Sequence, residues 1–125
     1  EDYGWYWAPT GIDLISFTAR AHGQAILLTW ETANELDNLG FNLFRAESLD
    51  GPQTQLNGGL IPSQGPGSPI GFVYTFLDET VTPGVTYYYW LEDVDVSSAA
   101  TRYGPATAFI RPDAPFTIYL PSVVK

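Results

Sequence analysis

Residues 81–95 read VTPGVTYYYWLEDVD, and the fold class turns on how they are read. Pro83-Gly84 is a turn signal, because proline presets one turn position and glycine supplies the positive φ of the next. The following run is dominated by aromatic and β-branched residues, the composition of a strand. With a side-chain period of two, Tyr87, Tyr89 and Leu91 share one face, and Tyr88, Trp90 and Glu92 share the other. Asp93 falls on the Tyr87 face.

The rest of the chain repeats this grammar. IDLISFTARA (12–21) reads as a first strand, and HGQ turns the chain at His22. AILLTWET (25–32) is a second strand, with Ile26, Leu28 and Trp30 on one face. ANELDNLG (33–40) is a polar loop. GFNLFRAE (40–47) is a third strand, with Phe41 and Leu43 on one side and Asn42 and Phe44 on the other. Residues 50–71 hold four prolines and six glycines. No helix or central strand survives that density, so a long surface crossing is expected, with brief edge pairing near Gln55–Leu56 and Leu60–Ile61. FVYTFLD (72–78) is the next strand. SSAATRYG (97–104) reads as a loop, and PATAFIR (105–111) as the last strand of the body. About seven short strands joined by turns predict an all-β protein of two packed antiparallel sheets.

The chain has 125 residues, five basic and 14 acidic side chains, a net charge of −9 and no cysteine or methionine. That length suits one domain able to bury a core without staples. Without cysteine there is no disulfide, thiolate metal site or thiol nucleophile. Arg20, Arg45, Arg102, Arg111 and Lys125 are scattered, so neither a nucleic acid nor an anionic membrane finds a basic cluster to bind. No apolar run approaches membrane-spanning length. The missing initiator methionine raises the expectation of a removed signal peptide and an exported protein. No Asn-x-Ser/Thr acceptor occurs.

Three pieces carry a family resemblance: LLTWET with Trp30, GFNLFRAES, and VTPGVTYYYWLEDVD. Their order resembles a fibronectin type III domain, an immunoglobulin-like β-sandwich, across roughly residues 12–111. In that family a tyrosine shortly after the Pro-Gly turn forms the tyrosine corner, and Tyr87 stands at that place. WETANELDNLGFNLFRAESLDGP and YYYWLEDVD also look like domains of Chloroflexi-type surface proteins, and the closing FTIYLPSVVK is similar to the YLP ending of such exported chains. The resemblance implies an extracellular or cell-surface scaffold or adhesive role. It also implies a small apolar residue where this chain has Asp93. A buried carboxylate needs partners, and in this topology the main-chain N–H groups of residues 33–39 are expected to supply them.

Residues for catalysis are scarce. His22 is the sole histidine and has no nearby Ser/Asp companions. A carboxylate pair for glycoside hydrolysis would come from Glu31, Glu35, Asp37, Glu92, Asp93 and Asp95, but solvated loop charge accounts for these more simply. Glu31, Asn34, Glu35, Asp37 and Asn38 are oxygen ligands of the kind calcium takes. The segment lacks EF-hand spacing, and a self-bonded loop explains it as well. The expectation is a non-enzymatic protein with no cofactor.

Two features point instead to contacts. Phe44, Tyr88 and Trp90 gather on an outer sheet face, where they either receive a protein segment or stack on sugar rings. The ends of the chain, residues 1–11 and 112–125, carry strand-like alternations: Tyr3, Trp5 and Trp7 in one, Phe116, Ile118 and Leu120 in the other. Two readings follow. In the first, the chain is a filament or sheath subunit that binds copies of itself by donating a terminal strand. In the second, it is a carbohydrate-binding or adhesion module cut from a larger secreted enzyme.

Overall fold

The computed structural model describes residues 12–112. Eight strands follow one another: β1 (Asp13–His22), β2 (Ala25–Asn34), β3 (Asn38–Ala46), β4 (Thr54–Gln55), β5 (Ile61–Pro62), β6 (Val73–Asp78), β7 (Thr86–Asp95) and β8 (Ala100–Phe109). They form two antiparallel sheets, β1-β2-β6 and β4-β3-β7-β8, with β5 also on β3. Among the described residues there is no helix.

The core is where the period-two reading puts it. Ile26, Leu28 and Trp30 of β2 meet Phe41 and Leu43 of β3 and Tyr87, Tyr89 and Leu91 of β7, all buried. Trp30 stacks on Tyr74 at 5.2 Å with the planes 3° apart. Phe41, from the other sheet, sets its ring edge-on to both, at 5.5 Å from Trp30 and 4.8 Å from Tyr74. The main-chain N–H of Thr82 donates to the Tyr87 hydroxyl at 2.9 Å. This closes a tyrosine corner and anchors the turn ahead of β7.

Two expectations from the sequence need correction. The polar loop after β2 is shorter than expected, because β2 runs on to Asn34 and β3 starts at Asn38. Residues 97–104 are largely strand, since β8 begins at Ala100 rather than at Pro105. Gly104-Pro105 reads as a breaker in sequence, yet the strand absorbs it as an irregularity opposite Trp90. Gly104 has φ +129°, and a Cβ there would lie 2.7 Å from the Tyr89 carbonyl oxygen and 3.1 Å from Trp90 Cδ1. Only glycine allows that conformation and that approach.

The crossing between β3 and β6 is tied down by Asn57. Its carbonyl oxygen accepts from Leu43 N–H at 2.8 Å, and its amide donates to Asn42 Oδ1 at 2.9 Å and Gly59 O at 2.8 Å. A segment with only two brief ladder pairings, β4 and β5 on β3, is thus held in addition by side-chain bonds.

Trp30→Ala removes the ring on which the two sheets meet. It should lower unfolding free energy by about 3–5 kcal/mol, the cost of truncating a large core aromatic. Urea denaturation followed by Tyr fluorescence measures it, and an unchanged midpoint would refute this core assignment.

Candidate functional site

The outer face of β3, β7 and β8 brings Phe44, Tyr88 and Trp90 together. Phe44 lies directly opposite Trp90 across the β3–β7 ladder, and Asn42 lies opposite Glu92. On the far side of β7, Arg102 pairs with Glu92 and Thr107 with Tyr88. All three aromatics are half-buried.

A polar network frames them. Asn42 Nδ2 donates to Glu92 Oε1 at 2.9 Å, and Gln55 Nε2 donates to Asn42 Oδ1 at 3.2 Å. Arg102 reaches across β7, donating through Nε to Glu92 Oε2 at 3.4 Å and through Nη1 to Gln53 Oε1. Its guanidinium sits 3.8 Å from the centre of the Phe44 ring. Phe44 therefore already has a cation on its ring, whereas no such cap covers Tyr88 or Trp90 among the described residues. Sequence patterning finds the aromatics but not this strap, because Arg102 falls in the stretch expected to be a loop.

Glu35 and Asp95 are engaged in structural hydrogen bonds. Glu35 is fully buried and spent on structure. It accepts from Thr32 Oγ1 at 2.6 Å, Asn38 Nδ2 at 3.1 Å, Tyr74 Oη at 2.8 Å and Ser63 Oγ. Burial, with the Glu35 carboxylate adding to it, pushes the Tyr74 hydroxyl up to about 12. Asp95 caps the β7–β8 turn, accepting from Ser97 Oγ at 2.6 Å, Ser97 N–H at 2.8 Å and Ala99 N–H at 3.0 Å. The Ser97 hydroxyl bond leads in holding its carboxyl below the usual range. Glu92 faces outward and Asp93 inward. Among the described residues no group of three His, Asp or Glu side chains could hold a metal ion.

Asp93 is fully buried, and neither of its oxygens has a hydrogen-bond partner. The donors expected from residues 33–39 go elsewhere. Glu35 N–H bonds Ser68 O, and Asn38 N–H bonds Glu35 O. The β2–β3 turn closes on itself and on the crossing, and no donor from it bonds Asp93.

Asp78, on β6, joins the two sheets. It accepts from Arg45 Nη1 at 2.9 Å, Tyr89 Oη at 2.8 Å and Thr80 Oγ1 at 2.7 Å. Arg45 also lies over the Tyr87 ring, 5.0 Å from its centre. Tyr3, Trp5, Trp7, Phe116, Ile118 and Leu120 lie outside the described residues.

The fold has counterparts of known structure. The Fn3-like protein from Clostridium thermocellum matches with a TM-score of 0.59 at 19% identity, over 88% of this chain and 100% of that one. The fold is fibronectin type III-like. A pectate lyase from Pectobacterium carotovorum matches with a TM-score of 0.56 at 21% identity, over 84% of this chain and 27% of the lyase. No protein-family model matches the chain, and no curated protein matches it.

The Asp78 clasp sets the acid side of stability. Burial by itself pushes the Asp78 carboxyl up, but donation from Thr80, Arg45 and Tyr89 outweighs it and holds the group below the usual carboxylate range. A depressed folded value means stability that is present above about pH 4 and lost as pH falls through that folded value. Asp78→Asn should lose about 3 kcal/mol at pH 6, because Arg45 is left without its charge. Thermal melts from pH 2 to 6 should show a shallower acid decline for the variant.

Proposed function

We propose that this fibronectin type III-like domain is a non-catalytic binding module of an exported bacterial protein, and that it grips neutral glycans on the outer face of β3, β7 and β8. The observation that carries this reading is the pairing of aromatic rings with a prearranged set of amides and charges on one sheet face. Tyr88 and Trp90 offer faces for the C–H side of sugar rings. Asn42, Gln55, Glu92 and Arg102, already locked to one another, offer donors and acceptors to hydroxyl groups at low ordering cost.

Charge favours an uncharged ligand. Glu92 and Arg102 form an ion pair, so together they add no net charge to the face, and the chain as a whole carries −9. A polyuronate would approach against that field. Likeness to 27% of a pectate lyase chain supports the role of a module beside an enzyme, while the charge argues for a different sugar class.

Self-assembly by a donated tail is the competing reading, with the same face as receiver, and its donor residues lie outside the described part of the chain. One set of measurements separates the two. In native gels the intact chain should be retarded by a neutral β-glucan or xylan and not by polygalacturonate. Tyr88→Ala and Trp90→Ala should each weaken retardation at least tenfold with little change in melting temperature. If no glycan retards the chain and it sediments as a polymer that Trp90→Ala disperses, the module reading fails and assembly replaces it.

A further inference from the structure

Asp93 is the one charged side chain of the β7 inner face that the fold leaves unanswered. It is fully buried, and neither carboxylate oxygen meets a donor. Phe41 of β3 and Thr101 of β8 stand opposite it on the two flanking strands. Phe41 is itself fully buried, so one neighbour is a wall of hydrocarbon.

Among the described residues no cation pairs with Asp93. On β3 the only cation, Arg45, is held by Asp78 at the other end of the strand. On β8, Arg102 follows Thr101 but turns outward to Glu92 and Phe44. On β1, which lies against β8, Asp13 accepts from Asn34. Glu35, in the β2–β3 turn, is occupied by its own donors, and the carbonyl of the neighbouring Asp37 takes Val96 N–H. Glu92 and Asp95, beside Asp93 on β7, are like charges.

An ionised carboxylate in such a place costs far more than a neutral one. We propose that Asp93 is held as the neutral acid in the folded domain, so that the β7–β8 end of the sandwich favours acidic over alkaline surroundings. The electrostatics agree: burial first, then the like charges of Asp95 and Glu92, push the Asp93 carboxyl up to about 7. The main-chain amides of Asp93 and Thr101 offset part of this without completing a hydrogen bond to it.

The sign follows from proton linkage. An unfolded Asp titrates near 3.9. Between that value and about 7 the folded state holds one more proton than the unfolded state, so stability falls as pH rises. The unfolding constant should grow about tenfold per pH unit in that window and level off above it. This window lies above the acid loss governed by Asp78, so the two effects separate. Neither effect depends on the glycan reading.

Carbon-detected NMR of the carboxyl groups of the intact chain tests this without any substitution. The Asp93 Cγ should titrate within about one unit of pH 7, and a midpoint below 5 would overturn the proposal. Urea unfolding from pH 4.5 to 8 supplies the second readout, in a His22→Gln background that removes the sole histidine. Asp93→Asn should abolish the pH dependence in this range, and Asp93→Leu should melt above the parent at pH 8. Retention of the full slope in Asp93→Asn would equally overturn it.

Discussion

Three rings hold the two sheets in one register. Trp30 and Tyr74 stack face to face within the β1-β2-β6 sheet, and Phe41 enters edge-on from the sheet opposite. Each ring fixes the others, because an edge-to-face contact works only when the stacked pair is already aligned. Tyr74 extends the effect into the loops. Its hydroxyl reaches Glu35 and accepts from Gln64 N–H at 2.9 Å, so the apolar centre also locates the polar crossing between β5 and β6. The Trp30 indole N–H has no partner there, which places packing ahead of hydrogen bonding in the choice of this residue.

Three carboxylates on or near this core show what burial demands. Glu35 and Asp78 each gather donors from separate parts of the chain, and by doing so they tie a loop or an opposing sheet into place. Their net stabilising effect is modest, but removing either would strand several buried donors. Asp93 carries the same carboxyl group, yet no donor completes a hydrogen bond to it. Its inward direction is dictated by the Tyr87–Tyr89–Leu91 period, whereas its lack of partners is a consequence of how the β2–β3 turn satisfies itself. A carboxyl in that position is tolerated as a neutral acid, which links the interior of the sandwich to the proton concentration outside.

The outer face of the same strand follows different physics. Tyr88 and Trp90 sit on the outer side of the strand richest in aromatic residues, and Gly104 allows β8 to pass close to Trp90. Arg102 occupies the Phe44 ring and joins the aromatic and polar parts of the face into one surface. A fibronectin type III-like sandwich hosts many roles, so the chemistry of this face, rather than the fold, carries the functional reading.

Most of the strands, their faces and the core are legible in the sequence. Alternation is a local property, so VTPGVTYYYWLEDVD sufficed to put Tyr87, Tyr89, Leu91 and Asp93 inward, and AILLTWET sufficed for Trp30. Partners were a different matter. The donors on Glu35 come from residues between 3 and 39 positions away, and Asp78 meets an Arg 33 positions earlier. No local period encodes such separations. The extent of β8 was also hidden, because Gly104-Pro105 is a breaker unless a neighbouring strand accepts an irregularity, and only the packed sheet shows that β7 does. Tertiary structure alone decided that Arg102 lies on Phe44 and that Asp93 has no partner, since both depend on which main-chain and side-chain groups other segments have already claimed.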